Sequence, residues 1–202
     1  MDLVLFAQQY NPYFVGVHLL GVVLGFGGAL ISDVLFIKFL KDLKIEDVEL
    51  KILKTMSKII WMGLLIIVIS GVFLFLSDIE RYSVSAKFLV KMIVVGIIIV
   101  NGALLNFVVT PKLTQIQFGE FGEVGDIGDV QGIRNLRRLA FASGAVSMTS
   151  WWTAFILGLM HRSPTPFHVL LGIYLIVVAG AIVSSQILEK LISTRKINPP
   201  GV

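Results

Sequence analysis

Charged positions divide this chain into five long apolar runs. No Asp, Glu, Lys or Arg occurs in Tyr13–Ser32, Ile59–Ser77, Met92–Pro111, Leu139–Met160 or Ser163–Leu188. Each run is close to the roughly 20 residues that a helix needs to cross about 30 Å of hydrocarbon. Backbone in lipid must satisfy its own hydrogen bonds, so the runs predict helices. The expected spans are Tyr13–Leu40, Ser57–Ser77, Ala86–Thr110, Arg138–Met160 and Pro166–Leu188. The fold class that follows is all-α, an integral membrane bundle of five transmembrane helices forming one domain over residues 1–202.

The polar connections carry the orientation. Lys38, Lys41, Lys44, Lys51, Lys54, Lys58, Lys112, Arg134, Arg137, Arg138, Lys190, Arg195 and Lys196 fall at one end of the runs. The other end has Arg81, Lys87, Lys91 and Arg162, a ratio of 13 to 4. By the positive-inside rule the N-terminus is outside and the C-terminus inside. The expected location is the plasma membrane of a prokaryotic cell, crossed several times. Met1–Pro12 has no basic residue, and the apolar run after it is too long for a signal-peptide core, so the first helix is expected to be retained.

Two connections have patterns of their own. Ile45, Val48, Ile52, Leu53 and Met56 recur at helical spacing, with Glu46 and Asp47 early and Lys51, Lys54 and Lys58 late. That order suits a helix dipole and predicts a cytoplasmic helical extension of the second span, with a helix lying on the inner leaflet, its lysines near lipid phosphates, as the alternative. Between Gly119 and Val130 lie four triplets of Gly, acid and apolar residue. Glycine at every third position disfavours a regular helix, so a mobile acidic loop is expected there. Asp126-Ile-Gly-Asp129 lacks the full spacing and terminal Glu of a calcium loop.

Composition narrows the function classes. Of 202 residues, 56% are hydrophobic and 15% charged, where a soluble domain carries about 25% charge. The net charge of +4 is accounted for by orientation, so the expected partner is the lipid bilayer and not nucleic acid. Cysteine is absent, which excludes disulfides, iron–sulfur ligation, thiol catalysis and covalent c-type haem attachment. No inverted repeat or pair of broken helices points to a transporter. No nucleophile–base–acid constellation points to a hydrolase, and nothing identifies a substrate.

Candidate chemistry rests on the few polar groups inside the apolar runs. His18 lies about five residues into the first span, roughly 8 Å deep at 1.5 Å per residue. Lys91 lies at similar depth in the third span, and His161 and His168 flank the turn between the last two. Ionisable groups in lipid are costly, so a functional role is the working expectation, with snorkelling as the alternative for Lys91. Gly21, Gly25 and Gly28 follow His18, with Ala29 and Ser32, as a small-residue stripe. Such a stripe admits a close helix or leaves room for a flat macrocycle. At the inner end Asp33 and Asn106 are level, and Arg137 and Arg138 open the fourth span on that side. These four predict a structural clamp joining spans one, three and four, with a proton relay as the alternative. Ser143, Ser147, Thr149 and Ser150 precede Trp151 and Trp152, which face neighbouring helices or a bound ring.

His18 with its glycine-rich continuation, and Lys91 in Phe88-Leu-Val-Lys-Met-Ile-Val-Val, resemble the small multi-span bacterial proteins grouped around the membrane protoporphyrinogen oxidase HemJ and the copper-resistance protein CopD. The resemblance covers residues 13–110. It implies b-type haem held by His18, with Lys91 opposite it or beside a propionate and Gly21 and Gly25 lining the site. The chain departs from the oxidase pattern: no Trp and Arg follow His18 as expected, and Asn101-Gly102 stand where a second His is expected. The leading expectation is therefore a haem-binding or redox membrane protein, an oxidoreductase if it is an enzyme, working with a membrane redox partner or a second copy of itself. The alternative is a cofactor-free bundle that serves as a structural subunit or binds lipid. A third is a copper handler using His18, His161, His168 and Met160, whose N and S ligands suit that metal.

Overall fold

A computed structural model describes residues 3–39, 47–111, 127–160 and 165–197. The helices are α1 (Leu3–Gln9), α2 (Asn11–Phe39), α3 (Asp47–Ser77), α4 (Ile79–Ser83), α5 (Ala86–Leu104), α6 (Ile127–Leu159) and α7 (Phe167–Ile197). A π-helical turn, Leu105–Val109, continues α5. The described residues contain no strand. Among the described residues, four helices are long and apolar enough to cross a bilayer: Asn11–Leu35, Val48–Ser77, Ala86–Val109 and Phe167–Leu191. The chain is thus a multi-pass integral membrane protein. Large apolar residues such as Val23, Val100 and Ile176 cover its outside, as lipid contact requires.

α6 is not among those four, although it has 33 residues. Ser143, Ser147, Thr149, Ser150 and Thr153 lie in its apolar part and dilute it. It starts well before Arg138, so the last Gly–acid–apolar triplet, at Gly128, falls in its first turn. Glycine is tolerated at a helix start, where backbone N–H groups have no helical partner to lose. The earlier triplets, up to Asp126, lie outside the described residues. The extension before the second span is helical from Asp47 and runs unbroken to Ser77.

Local signals set the remaining boundaries. Asp78 caps α4 by accepting from Arg81 N at 3.3 Å, and Ser85 caps α5 by accepting from Phe88 N at 3.4 Å. At the N-terminus, Phe14 stacks on Phe73 at 4.4 Å, and Asn11 Nδ2 donates to Ser77 Oγ at 2.6 Å. These contacts fasten the start of α2 to the end of α3.

The helices form two units. α2 and α3 pack along most of their length, while α5, α6 and α7 pack on one another, and α2 against α6 is the main contact between the units. Gly21, Gly25 and Gly63 set the distance within the first unit. A Cβ on Gly63 would lie 2.7 Å from Gly25 Cα, and one on Gly21 would lie 3.0 Å from Gly63 O. Only glycine permits this approach, the small-residue packing that holds helices together where solvent supplies no drive. The second unit is tied by polar groups instead. Asn101 Nδ2 donates to Ser143 O at 2.9 Å. Ser150 Oγ donates to Val146 O at 2.6 Å and lies 2.8 Å from Tyr174 Oη. Its one proton being used, it accepts from the tyrosine.

Candidate ligand site between the two helical units

The His, Lys and Asp residues of the spans lie toward two ends. At the first end His18 Nδ1 lies 2.9 Å from Ser70 Oγ. Ser70 donates its proton to Ile66 O at 2.5 Å, so the network assigns the imidazole proton to Nδ1 and leaves Nε2 with its lone pair. The ring lies beside Gly71, whose Cβ would sit 3.7 Å from His18 Cε1. Lys87 Nζ donates to Met160 O at 2.5 Å, beyond the last turn of α6. Lys91 Nζ approaches the same helix end, 3.6 Å from where a Cβ on Gly158 would be. Two ammonium groups thus meet the negative end of the α6 dipole.

Gly21 and Gly25 pack closely against neighbouring helices. Gly21 is closed by Gly63 O, Ile66 and Ile67, and a Cβ on Gly25 would lie 2.7 Å from the Trp151 ring. A porphyrin beside them requires α2 to separate from α3 and α6. His168 is exposed at the first turn of α7, and His161 lies outside the described residues. Among the described residues no three His, Cys, Asp or Glu side chains group as metal ligands.

At the other end the clamp is redistributed. Arg137 and Arg138 do not hold Asp33. Arg137 Nε donates to Glu189 Oε1 at 2.6 Å, its Nη2 is 2.5 Å from the same oxygen, and Arg138 Nε is 3.8 Å from Glu189 Oε2. Glu189 is 3% exposed, and the pair joins α6 to α7. Depth along each helix matched Asp33 with the arginines, but the arginines' side of α6 meets α7.

No family model matches the chain, and no curated protein or solved structure does either. The resemblance to the HemJ and CopD group therefore rests on the quoted residues alone.

Asp33 and Asn106 do come together, in a cavity of about 170 Å³ between the two units. Its walls include Ser32 and Asp33 of α2, Lys54, Ser57 and Trp61 of α3, Asn106 and Thr110 at the π turn, and Ser147 and Trp151 of α6. Ser57 Oγ donates to Asn106 Oδ1 at 3.3 Å. Asp33 Oδ2 is buried and has no hydrogen-bond partner. Buried polar atoms are nearly always paired, so an unpaired carboxylate oxygen on a cavity wall points to a missing partner.

A wider groove of about 760 Å³ adjoins the cavity and shares Lys54, Ser57, Trp61, Asn106 and Thr110 with it. Lys58, Met62, Leu65 and Pro111 complete its walls. It runs between α3 and the π turn, where the two units touch little. The π turn helps shape this opening. Thr110 Oγ1 donates to Leu105 O at 2.8 Å, five residues back, and such turns recur at functional sites.

Lys54, Ser57 and Trp61 line this site; Lys54 was expected in the extension before the second span, and Ser57 and Trp61 escaped the sequence reading. A signal existed for them: the three lie at helical spacing across the start of the second span. Glu189 escaped too, because it ends the last run and looks like a solvated terminus.

Proposed function

We propose that this chain is a five-span plasma-membrane protein, N-terminus outside and C-terminus inside, that binds a membrane lipid in the cytoplasmic leaflet and catalyses no reaction on it. The 13-to-4 division of basic residues supports the orientation. α6 serves as the fourth span, because the polar groups that dilute it are met by its neighbours: Ser143 O by Asn101 and Ser150 by Tyr174. The observation that carries the lipid reading is the lateral groove. Its volume falls within the roughly 300–1,000 Å³ usual for ligand sites. Trp61, Met62 and Leu65 offer an apolar wall to an acyl chain, and Lys54 and Lys58 offer ammonium groups to a phosphate. Neither lysine has an ion-pair partner among the described residues.

Native mass spectrometry of the full chain, purified in mild detergent, tests this. A bound phospholipid is expected, with occupancy lost when Lys54 and Lys58 are both changed to Gln. Lipid-free protein that takes up none from added phospholipid would remove the reading.

The second reading keeps b-type haem at His18, and one observation favours it: Nε2 retains its lone pair while Nδ1 is fixed by Ser70. Ligating imidazoles are commonly oriented through the other nitrogen in this way. It requires the glycine contact between α2 and α3 to open. A Soret band in the purified protein, lost in His18→Ala, would put haem in place of lipid.

A further inference from the structure

The lipid reading leaves Asp33 without a task. We infer that the cavity behind the groove takes the primary ammonium group of an amine-bearing phospholipid headgroup, with the Asp33 carboxylate as its counter-ion. This rests on the lipid reading above and names the class of lipid.

Cavity and groove share Lys54, Ser57, Trp61, Asn106 and Thr110, so a headgroup whose phosphate meets Lys54 and Lys58 has the cavity beside it. Asp33 Oδ2 is buried there without a hydrogen-bond partner. A buried carboxylate calls for a cation or a proton, and the cavity has room for the former. Its volume of about 170 Å³ is close to the roughly 150 Å³ that accommodates benzene in an engineered protein cavity. A two-carbon amine therefore fits.

The polar walls distinguish among cations. A primary ammonium has three N–H donors and needs acceptors for them. Asp33 supplies one. Asn106 Oδ1 supplies another, because Ser57 uses only one of its two lone pairs and at the long distance of 3.3 Å. The Ser32 hydroxyl on the same wall supplies a third. A quaternary ammonium offers no N–H and is bulkier, so it would leave these acceptors unpaired. Phosphatidylethanolamine is thereby favoured over phosphatidylcholine. Phosphatidylglycerol meets the lysines but leaves Asp33 without a cation.

The test is lipid competition on the full chain, read by native mass spectrometry with phosphatidylethanolamine, phosphatidylcholine and phosphatidylglycerol in equal amounts. Wild type is expected to retain phosphatidylethanolamine preferentially. Asp33→Asn should reduce that preference over phosphatidylglycerol on the order of tenfold, the scale of one hydrogen bond to a charged group, while the protein still binds phosphatidylglycerol. Asn106→Ala, which keeps the carboxylate, should narrow the gap between ethanolamine and choline lipids, and decides the matter if Asp33→Asn does not fold. Equal retention of all three lipids by wild type, or an unchanged preference in the variants, overturns the ammonium inference and leaves the lipid reading standing. Wild type that binds none of the three overturns both.

Discussion

The α2–α3 pair and the α5–α6–α7 unit hold their helices by opposite means. In the pair, glycines bring backbones together: Gly21, Gly25 and Gly63 lie so close that a single Cβ has no room. In the other unit, side chains reach across: Asn101 to Ser143 O, Tyr174 to Ser150, Arg137 to Glu189. Lipid tails supply no hydrophobic drive between helices, so close packing and internal hydrogen bonds are the available forces. The contrast teaches where a ligand can enter. The glycine seam is shut and the polar unit is cross-tied. The space that remains lies between them, at the Asp33 end.

The largest loss should come from the polar unit. Glu189→Ala leaves Arg137 in the protein with its buried partner gone, and breaking such a pair costs about 3–5 kcal/mol. Thermal unfolding in detergent should show it. Arg137→Ala should cost a similar amount, and the double variant less than the sum of the two. Additive losses would mean that the pair does not tie α6 to α7.

Next comes the seam. Gly63→Val forces α2 away from α3, and overpacking of this kind costs about 1–3 kcal/mol. Gly27→Val, where a Cβ meets nothing within 4 Å, is the control and should melt near wild type. Equal melting of the two variants would dissolve the contrast between the units.

Polar deletions inside the glycine-held pair should matter less. His18→Ala and Ser70→Ala each remove one interhelical hydrogen bond, worth about 0.6 kcal/mol on average in a membrane bundle, and a double-mutant cycle should return a coupling of that order. A much larger effect of His18→Ala, accompanied by loss of a Soret band, would instead mark a haem ligand.

The smallest effect on stability is expected at Asp33. Asp33→Asn should lower it least of the four, since Oδ2 has no partner to lose. A clamp built on Asp33 demands the opposite, a marked drop in melting temperature. Lipid retention, not stability, is where this substitution should register.

How much of this was legible in the sequence differs by kind of feature. The apolar runs located α2, α3, α5 and α7, because the bilayer dictates both length and composition. They marked α6 as well, whose hydroxyls and indoles leave it less apolar than the other four. The small-residue stripe after His18 was visible, and so was the ambiguity between close packing and room for a ring. The contact with Gly63 decides it for packing in this structure, and only a three-dimensional partner could do so. Asp33 and Asn106 were matched by depth, and both line one cavity. Arg137 and Arg138 were matched by the same reasoning and do not join them, because depth says nothing about which side of a helix faces which neighbour. The cavity depends on how far two helical units diverge, and α1 on contacts of Phe6 with Phe14 and Phe73. Hydropathy records none of these.

The π turn at Leu105–Val109 makes chain length itself a control on the site. A turn of this kind accommodates one residue beyond the α-helical repeat. Deleting a single residue there, such as the lipid-exposed Phe107, would let the α-helix run straight through and keep the residues after it in place, because the wide turn had absorbed the extra residue. Thr110 and Pro111 would stay on the groove wall with α5 in register, and the widened turn between them would close. Homologous chains that differ by one residue at this point would therefore have differently shaped grooves on the same scaffold, and an alignment gap would mark a change in ligand that no substitution records.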